Sequence, residues 1–426
     1  MFNEQLKNIR KASGKTQKDL ANYLQISAQS ISKWEKGEAL PSLEFLPRIA
    51  RFFGCGISAF FTELERDVNN AFDSADYTKQ ALEIEEKING ALRHFHLNAE
   101  VIKIYEGIRI YSYVVAMFEG CGLSDIKKRE NDILYHINED KAVFNTKDYK
   151  DNTFAIEIPR KDFNGVFLES AMKNDEYVNT KYKIPLIIGY DVSGNLIVED
   201  LTRMPHLLLG GVTGSGKSTF LRNIVTCLST RFTPADIQLM ICDFKKCEYK
   251  YLADLPHLHG EVITELDVAV EKIKDLVSVM NERIVELTKK GARNIDEYND
   301  IAEARISRLV LIIDEFADLK IYSGEVEEFI MQLAMKGRSA GIHIILSTQF
   351  SSVHVVTGVI KANIPARASF RVLKPLESII VLDERGAESL SDRGDMLYSS
   401  CFSREIKRVQ VPYISEHRSM ELIKNG

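Results

Sequence analysis

The chain is 426 residues long, enough for two or three domains with apolar cores of their own. Apolar residues make up 45% and charged residues 27%, proportions that exclude a disordered or fibrous chain. A net charge of −6 excludes a uniformly basic nucleic-acid coat, and no apolar run is long enough for direct membrane insertion.

Charge is unevenly spread. Residues 1–61 hold nine Lys and Arg against five Asp and Glu, the balance of a module that meets nucleic acid. Apolar positions recur there at helical spacing through Leu6, Leu20, Leu24, Ile31, Trp34, Leu46, Ile49 and Phe53, so 1–61 reads as an all-α domain. Residues 62–80 are polar and acidic and read as a linker. Residues 81–185 mix helical patterns with strand-like runs at Val114–Phe118 and Phe154–Ile158, giving a small α+β lobe. From 186 to 412, short apolar runs alternate with helical stretches, the pattern of an α/β domain with a mainly parallel sheet. Residues 413–426 read as a C-terminal tail. The six cysteines show no paired metal or redox spacing, which points to buried thiols in a reduced, cytoplasmic setting.

The strongest chemical pattern is Gly211-Val212-Thr213-Gly214-Ser215-Gly216-Lys217-Ser218, followed by Thr219. It lies between the apolar run Leu207–Leu209 and a helical pattern from Phe220, the strand–loop–helix setting of a phosphate-binding loop. The glycines let backbone N–H groups turn toward ATP phosphates, and the helix N-terminus adds partial positive charge. Lys217 is expected to reach the β- and γ-phosphates, and Ser218 to hold Mg²⁺. The apolar run Leu309–Ile313 delivers Asp314 and Glu315. Asp314 is the expected second Mg²⁺ holder, and Glu315 the group that orients and deprotonates the attacking water. Gln349 closes another strand and is placed to sense the γ-phosphate. Asp243, with Lys245, ends a further strand; it either lines the same crevice or forms a structural ion pair.

Further motifs follow in order: Glu157-Ile158-Pro159, Met204-Pro205-His206, Pro256-His257-Leu258, Lys336-Gly337-Arg338-Ser339-Ala340-Gly341, Ser347-Thr348-Gln349 and Arg393-Gly394-Asp395-Met396-Leu397. With the phosphate loop, they make residues from about 85 to 412 resemble the motor of the FtsK/SpoIIIE DNA translocases, RecA-like P-loop ATPases of the HerA–FtsK group. The resemblance implies a homo-oligomeric ring, a hexamer, around double-stranded DNA. It also implies that Arg338 is offered across the subunit interface to the neighbour's nucleotide. Lys361, Arg367, Arg371 and Lys374 are candidate channel cations. The chain departs from the family's cell-division members in showing neither membrane helices nor a C-terminal winged helix. Phe350 stands where the family usually has arginine.

The stretch Lys15–Gly37 resembles the helix-turn-helix of lambda-repressor-like (Xre) regulators. That resemblance assigns Gln17 to a DNA phosphate and Ser27–Trp34 to the recognition helix. Ala28, Gln29, Ser32 and Lys33 are then the candidate base readers. The combined expectation is an ATP-dependent DNA translocase loaded by a sequence-reading head. It would act on plasmid or mobile-element DNA alongside an element-encoded processing partner. Two alternatives stand beside it: a transcriptional regulator whose assembly ATP switches, and a protein-export ATPase.

Overall fold

The computed structural model describes residues 2–24, 26–37, 39, 41, 45–53, 78–107, 109–139, 142–145, 152–160, 165–402 and 405–425. Cys55 and all but the last three residues of the 62–80 linker lie outside the described residues. The chain divides into two compact units, Met1–Ile104 with Tyr113–Glu157, and Tyr105–Ser112 with Ile158–Gly426.

The first unit begins with four helices, α1 (Phe2–Ala12), α2 (Gln17–Leu24), α3 (Ala28–Lys36) and α4 (Phe45–Phe53). Leu6, Leu20, Leu24, Ile31, Trp34, Leu46 and Ile49 form their common core. α3 has a defined start and stop. Ser27 caps it by accepting from the Ser30 N–H, and Gly37, at φ 73°, returns its N–H to the Lys33 and Trp34 carbonyls. After the linker come α5 (Lys79–His94), β1 (Ala99–Glu106), β2 (Ile110–Met117), α6 (Leu123–Lys128), α7 (Glu130–Ile137), β3 (Val143–Asn145) and β4 (Thr153–Pro159). The strands form one sheet ordered β1-β2-β4-β3.

The second unit opens with α8 (Leu168–Met172), α9 (Asp175–Val178), β5 (Pro185–Asp191), β6 (Leu196–Asp200), β7 (His206–Gly210) and α10 (Lys217–Arg231). It continues through β8 (Ile237–Cys242), α11 (Leu266–Lys289), α12 (Ile295–Ile301), β9 (Arg308–Ile313), α13 (Phe316–Tyr322), α14 (Val326–Lys336) and β10 (Ile342–Thr348). It ends with α15 (Gly358–Asn363), β11 (Ala366–Phe370), α16 (Pro375–Leu382), β12 (Asp395–Ser399), β13 (Ile406–Gln410) and α17 (Glu416–Asn425).

The nine strands of this unit are ordered β6-β5-β13-β12-β11-β7-β10-β9-β8. From β11 to β8 every pairing is parallel; from β6 to β11 every pairing is antiparallel. The expected mainly parallel sheet is therefore only half parallel. The β5–β6 and β12–β13 connections are too short to hold a crossover helix, so those strands can only return antiparallel. Apolar layers cover both faces. α10 and α17 supply one, and α11, α13, α14 and α16 the other. Residues 413–426, expected as a tail, instead include α17, which docks on α10 with Ser419 Oγ 2.7 Å from Thr226 Oγ1.

Candidate functional site

The parallel half of the sheet lines up the C-terminal ends of β7, β8, β9 and β10 in one crevice, where open α/β sheets place their ligands. The loop after β7 is shaped from beneath by its own chain. Gly216 sits at φ 119°, and a Cβ there would lie 2.5 Å from the Gly394 nitrogen. Gly211, at φ 145°, lies against Phe370 in the same way. Gly394 N–H donates to the Ser215 carbonyl at 2.8 Å, and Val212 N–H to the Arg371 carbonyl at 3.0 Å. Ser215 turns its hydroxyl back to the Val212 carbonyl at 2.6 Å. Thr213 and Gly214 are exposed at the rim, while Ser218 and Thr219 are half-buried in the first turn of α10. Arg109 braces the buttress from behind, donating to the Asp392 carbonyl at 2.6 Å and to Gln410 Oε1 at 3.0 Å.

Lys217 and Asp314 are 3% and 2% exposed, yet Lys217 Nζ and Asp314 Oδ1 have no hydrogen-bond partner. Burial pushes the Lys217 ammonium below its ordinary pKa against the pull of Asp314 and Glu315. Burial likewise pushes the Asp314 carboxyl above its ordinary value, with Lys217 and Lys245 opposing. Buried groups left this way cost free energy unless a ligand completes them. An acceptor-rich anion suits Lys217 and a cation suits Asp314, the pair of charges that Mg²⁺-nucleotide carries.

Glu315 is held differently. Thr348 Oγ1 donates to its Oε1 at 2.7 Å and the Gln349 N–H to its Oε2 at 2.9 Å. Thr213 Oγ1 in turn donates to Gln349 Oε1 at 2.6 Å. Glu315, Thr348, Gln349 and the rim of the phosphate loop thus form one connected chain. The sequence marks Thr348 only as the middle of a motif, and the fold alone reveals that strand alternation brings it to the face of Glu315. Phe350, two residues on, is 62% exposed.

Arg338 does not join this cluster. It precedes β10 at the N-terminal end of the strand, opposite the crevice, where its Nε donates to the Thr202 carbonyl at 3.1 Å. The seven residues of β10 put it roughly 20 Å from the crevice.

On the head, Ala28, Gln29 and Lys33 are exposed along α3 and Ser32 is half-buried. Gln17, expected at a DNA phosphate, also has a partner within the head. Its Nε2 donates to Glu35 Oε2 at 2.8 Å, and Arg10 Nε donates to Glu35 Oε1 at 2.5 Å. The buried Glu35 carboxylate needs donors, and the half-buried Gln17 supplies one. Three of the four candidate channel cations are also engaged. Lys361 and Arg367 both pair with Asp383, and Arg371 pairs with Asp392. Asp243 forms no ion pair among the described residues; its Oδ2 accepts from the Glu248 and Tyr249 N–H groups.

A family model described as the FtsK/SpoIIIE family matches residues 168–353, the FtsK alpha domain matches 64–160, and a helix-turn-helix model matches 6–60. The DNA translocase FtsK of Haemophilus influenzae is 33% identical, over 79% of this chain and 69% of that protein. The chain belongs to the FtsK/SpoIIIE family. Its second unit is the P-loop ATPase of that family. The DNA translocase FtsK of Clostridium acetobutylicum is 35% identical over 79% of this chain. The chain spans about half the length of curated relatives such as this one, 45% here and 48% for the Caldanaerobacter subterraneus protein.

Two solved structures share the fold of the family. The pCW3 conjugation coupling protein TcpA with ATPγS gives a TM-score of 0.57 at 24% identity, over 80% of this chain and 99% of that one. The Thermomonospora curvata type VII secretion ATPase EccC gives 0.54 at 21% identity, over 61% and 34%. No helix among the described residues is long and apolar enough to cross a membrane.

Proposed function

We propose that this chain hydrolyses ATP to move double-stranded DNA through a homo-oligomeric ring, a hexamer, after its helix-turn-helix head selects the loading site. The observation that carries the reading is the connected chain from Glu315 through Thr348 and Gln349 to Thr213, set beside the unpartnered Lys217 and Asp314. It joins a proton acceptor to the loop that cradles the phosphates.

Lys217 and the loop N–H groups bind the β- and γ-phosphates. Glu315 orients a water and takes its proton as oxygen bonds the γ-phosphorus and the bond to ADP breaks. Ser218 and Asp314 would hold Mg²⁺, which spreads the phosphates' negative charge when bound. Loss of the γ-phosphate is felt at Gln349 and passes along β10. Arg338, at the far end of that strand, is too distant for its own crevice and reaches the neighbour's in a head-to-tail ring. The curated relatives named DNA translocase support duplex DNA as the track. The exposed Gln29 and Lys33 of α3 read the major groove. Work on plasmid or mobile-element DNA in the cytoplasm, with an element-encoded partner, accords with a reader fused to a motor.

The test is ATP hydrolysis with and without duplex DNA, paired with displacement of a third strand from a triplex. Duplex DNA is expected to raise hydrolysis, and the triplex strand to leave only when ATP is supplied. Lys217→Ala and Glu315→Gln should abolish both. An active ATPase that never strips a triplex would end the translocase reading. Operator binding without DNA-stimulated hydrolysis would favour a regulator.

A further inference from the structure

One buried group at the strand-end crevice has no part in the steps above. β8 and β9 run parallel with Cys242 paired to Ile313, and the Asp314 N–H donates to the Cys242 carbonyl at 3.2 Å. Asp243 and Asp314 therefore leave adjacent strands at the same level, about 5 Å apart by strand spacing. Cys242 and Ile313 face the layer of α11, α13 and α14, whereas Ile241 and Ile312 face the layer of α10. By alternation, the aspartates that follow emerge toward α10, the helix that starts with Lys217.

Asp243 is 1% exposed. Its Oδ2 is occupied by the Glu248 and Tyr249 N–H groups, but its Oδ1 is buried and has no partner, as with Asp314 Oδ1. The Tyr249 hydroxyl, within electrostatic reach of both aspartates, is buried and without a partner too. Two buried carboxyl oxygens left without donors on adjacent strands suit a cation whose waters can donate to both. Among the described residues no group of three or more His, Cys, Asp or Glu could hold a metal by itself. The cation must therefore bring further ligands. Mg²⁺ does so, because it keeps several waters and binds through one or two carboxylates plus phosphate oxygens.

We propose that Asp243 is a second carboxylate of the metal site, and that with Asp314 it accepts hydrogen bonds from the waters of the Mg²⁺ that accompanies the nucleotide. Asp243 is a positioning residue here: it fixes those waters with one oxygen and the 243–249 turn with the other. The assignment rests on the nucleotide site proposed above.

Asp243→Asn separates the two duties. It keeps an oxygen for the Glu248 and Tyr249 N–H groups and puts a donor amide where Oδ1 stood. The full chain is titrated calorimetrically with ATPγS, first in EDTA and then at stepped Mg²⁺, with Asp314→Asn alongside. Mn²⁺ electron paramagnetic resonance reads the bound metal directly. In EDTA, Asp243→Asn should leave nucleotide affinity as in the wild type. The Mg²⁺ needed for half of the metal-dependent gain should rise about tenfold, as for a lost outer-sphere ligand, and Mn²⁺ should weaken in parallel. An unchanged Mg²⁺ requirement, with that of Asp314→Asn raised, overturns the assignment and leaves the ATPase reading intact. Loss of nucleotide binding in EDTA assigns Asp243 to the turn alone and also overturns it. A wild type that binds no nucleotide at any Mg²⁺ level removes both.

Discussion

Two of the buried charge clusters are treated in opposite ways. In the head, Glu35 is 7% exposed and its two oxygens receive three donors from Arg10 and Gln17. In the ATPase unit, Lys217, Asp314 and Asp243 are buried as deeply, and each keeps an atom with no partner. The first cluster is complete and holds a small helical core in one arrangement. The second is complete only with a ligand. Unpartnered buried atoms mark where a ligand is missing, whereas Glu315 beside them is already held in place by its donors.

The largest effect should come from Glu315, which adjoins the open cluster. Glu315→Gln keeps the Thr348 and Gln349 contacts available but removes the proton acceptor. ATP turnover should fall about a thousandfold while nucleotide binding persists; retained turnover would show that another group takes the proton.

Opening the closed cluster comes next. Glu35→Ala should cost about 3 kcal/mol of head stability, the low end for a broken buried pair because Arg10 keeps some solvent contact. The chain's single tryptophan, Trp34, lies in that core, so its fluorescence melt reports the head. Nucleotide affinity should not move. Burial alone would raise the Glu35 carboxyl, but the bonds from Arg10 and Gln17 outweigh it and hold it below its ordinary 4.5. A depressed carboxyl stabilises above its unfolded value and loses that contribution as pH falls through the folded one. The Trp34 melt should therefore drop as pH falls below about 4.5, and the drop should be weaker in Glu35→Ala.

Smaller effects belong to the surfaces around each cluster. Gln29→Ala should weaken binding to a selected DNA site by about 1.5 kcal/mol, roughly tenfold, without changing binding to random duplex. Equal loss on both DNAs would make Gln29 a phosphate contact. Thr213→Val removes one hydrogen bond between the phosphate loop and Gln349, and should slow turnover by about fivefold, near 1 kcal/mol. A rate equal to the wild type would detach Gln349 from the loop.

The same contrast explains what the sequence disclosed. Lys217, Asp314 and Glu315 were readable because contiguous motifs place them at strand ends, where a parallel sheet puts its chemistry. The helix-turn-helix was readable because its apolar spacing and the Lys15–Gly37 motif are local. The bond of Gln17 to Glu35 was not readable, because an amide at a helix start serves a phosphate or a carboxylate equally well and Glu35 lies 18 residues on. The pairing of Lys361 and Arg367 with Asp383 was not readable, because nothing near them in sequence announces it. The antiparallel half of the sheet and the docking of α17 on α10 depend on pairings between distant segments, which periodicity does not carry.

The contact of Gly394 with Gly216 also fixes an order of events during synthesis. The glycine-rich motif is whole once residue 218 has been made, but the backbone that moulds it comes from Phe370, Arg371 and Gly394. A ribosome adding residues at ordinary speed needs on the order of ten seconds or more to travel between the two. Until β11 and β12 have closed onto β7, the nascent chain holds the letters of a phosphate cradle without its shape. The loop therefore takes its final shape only after the far side of the sheet has arrived.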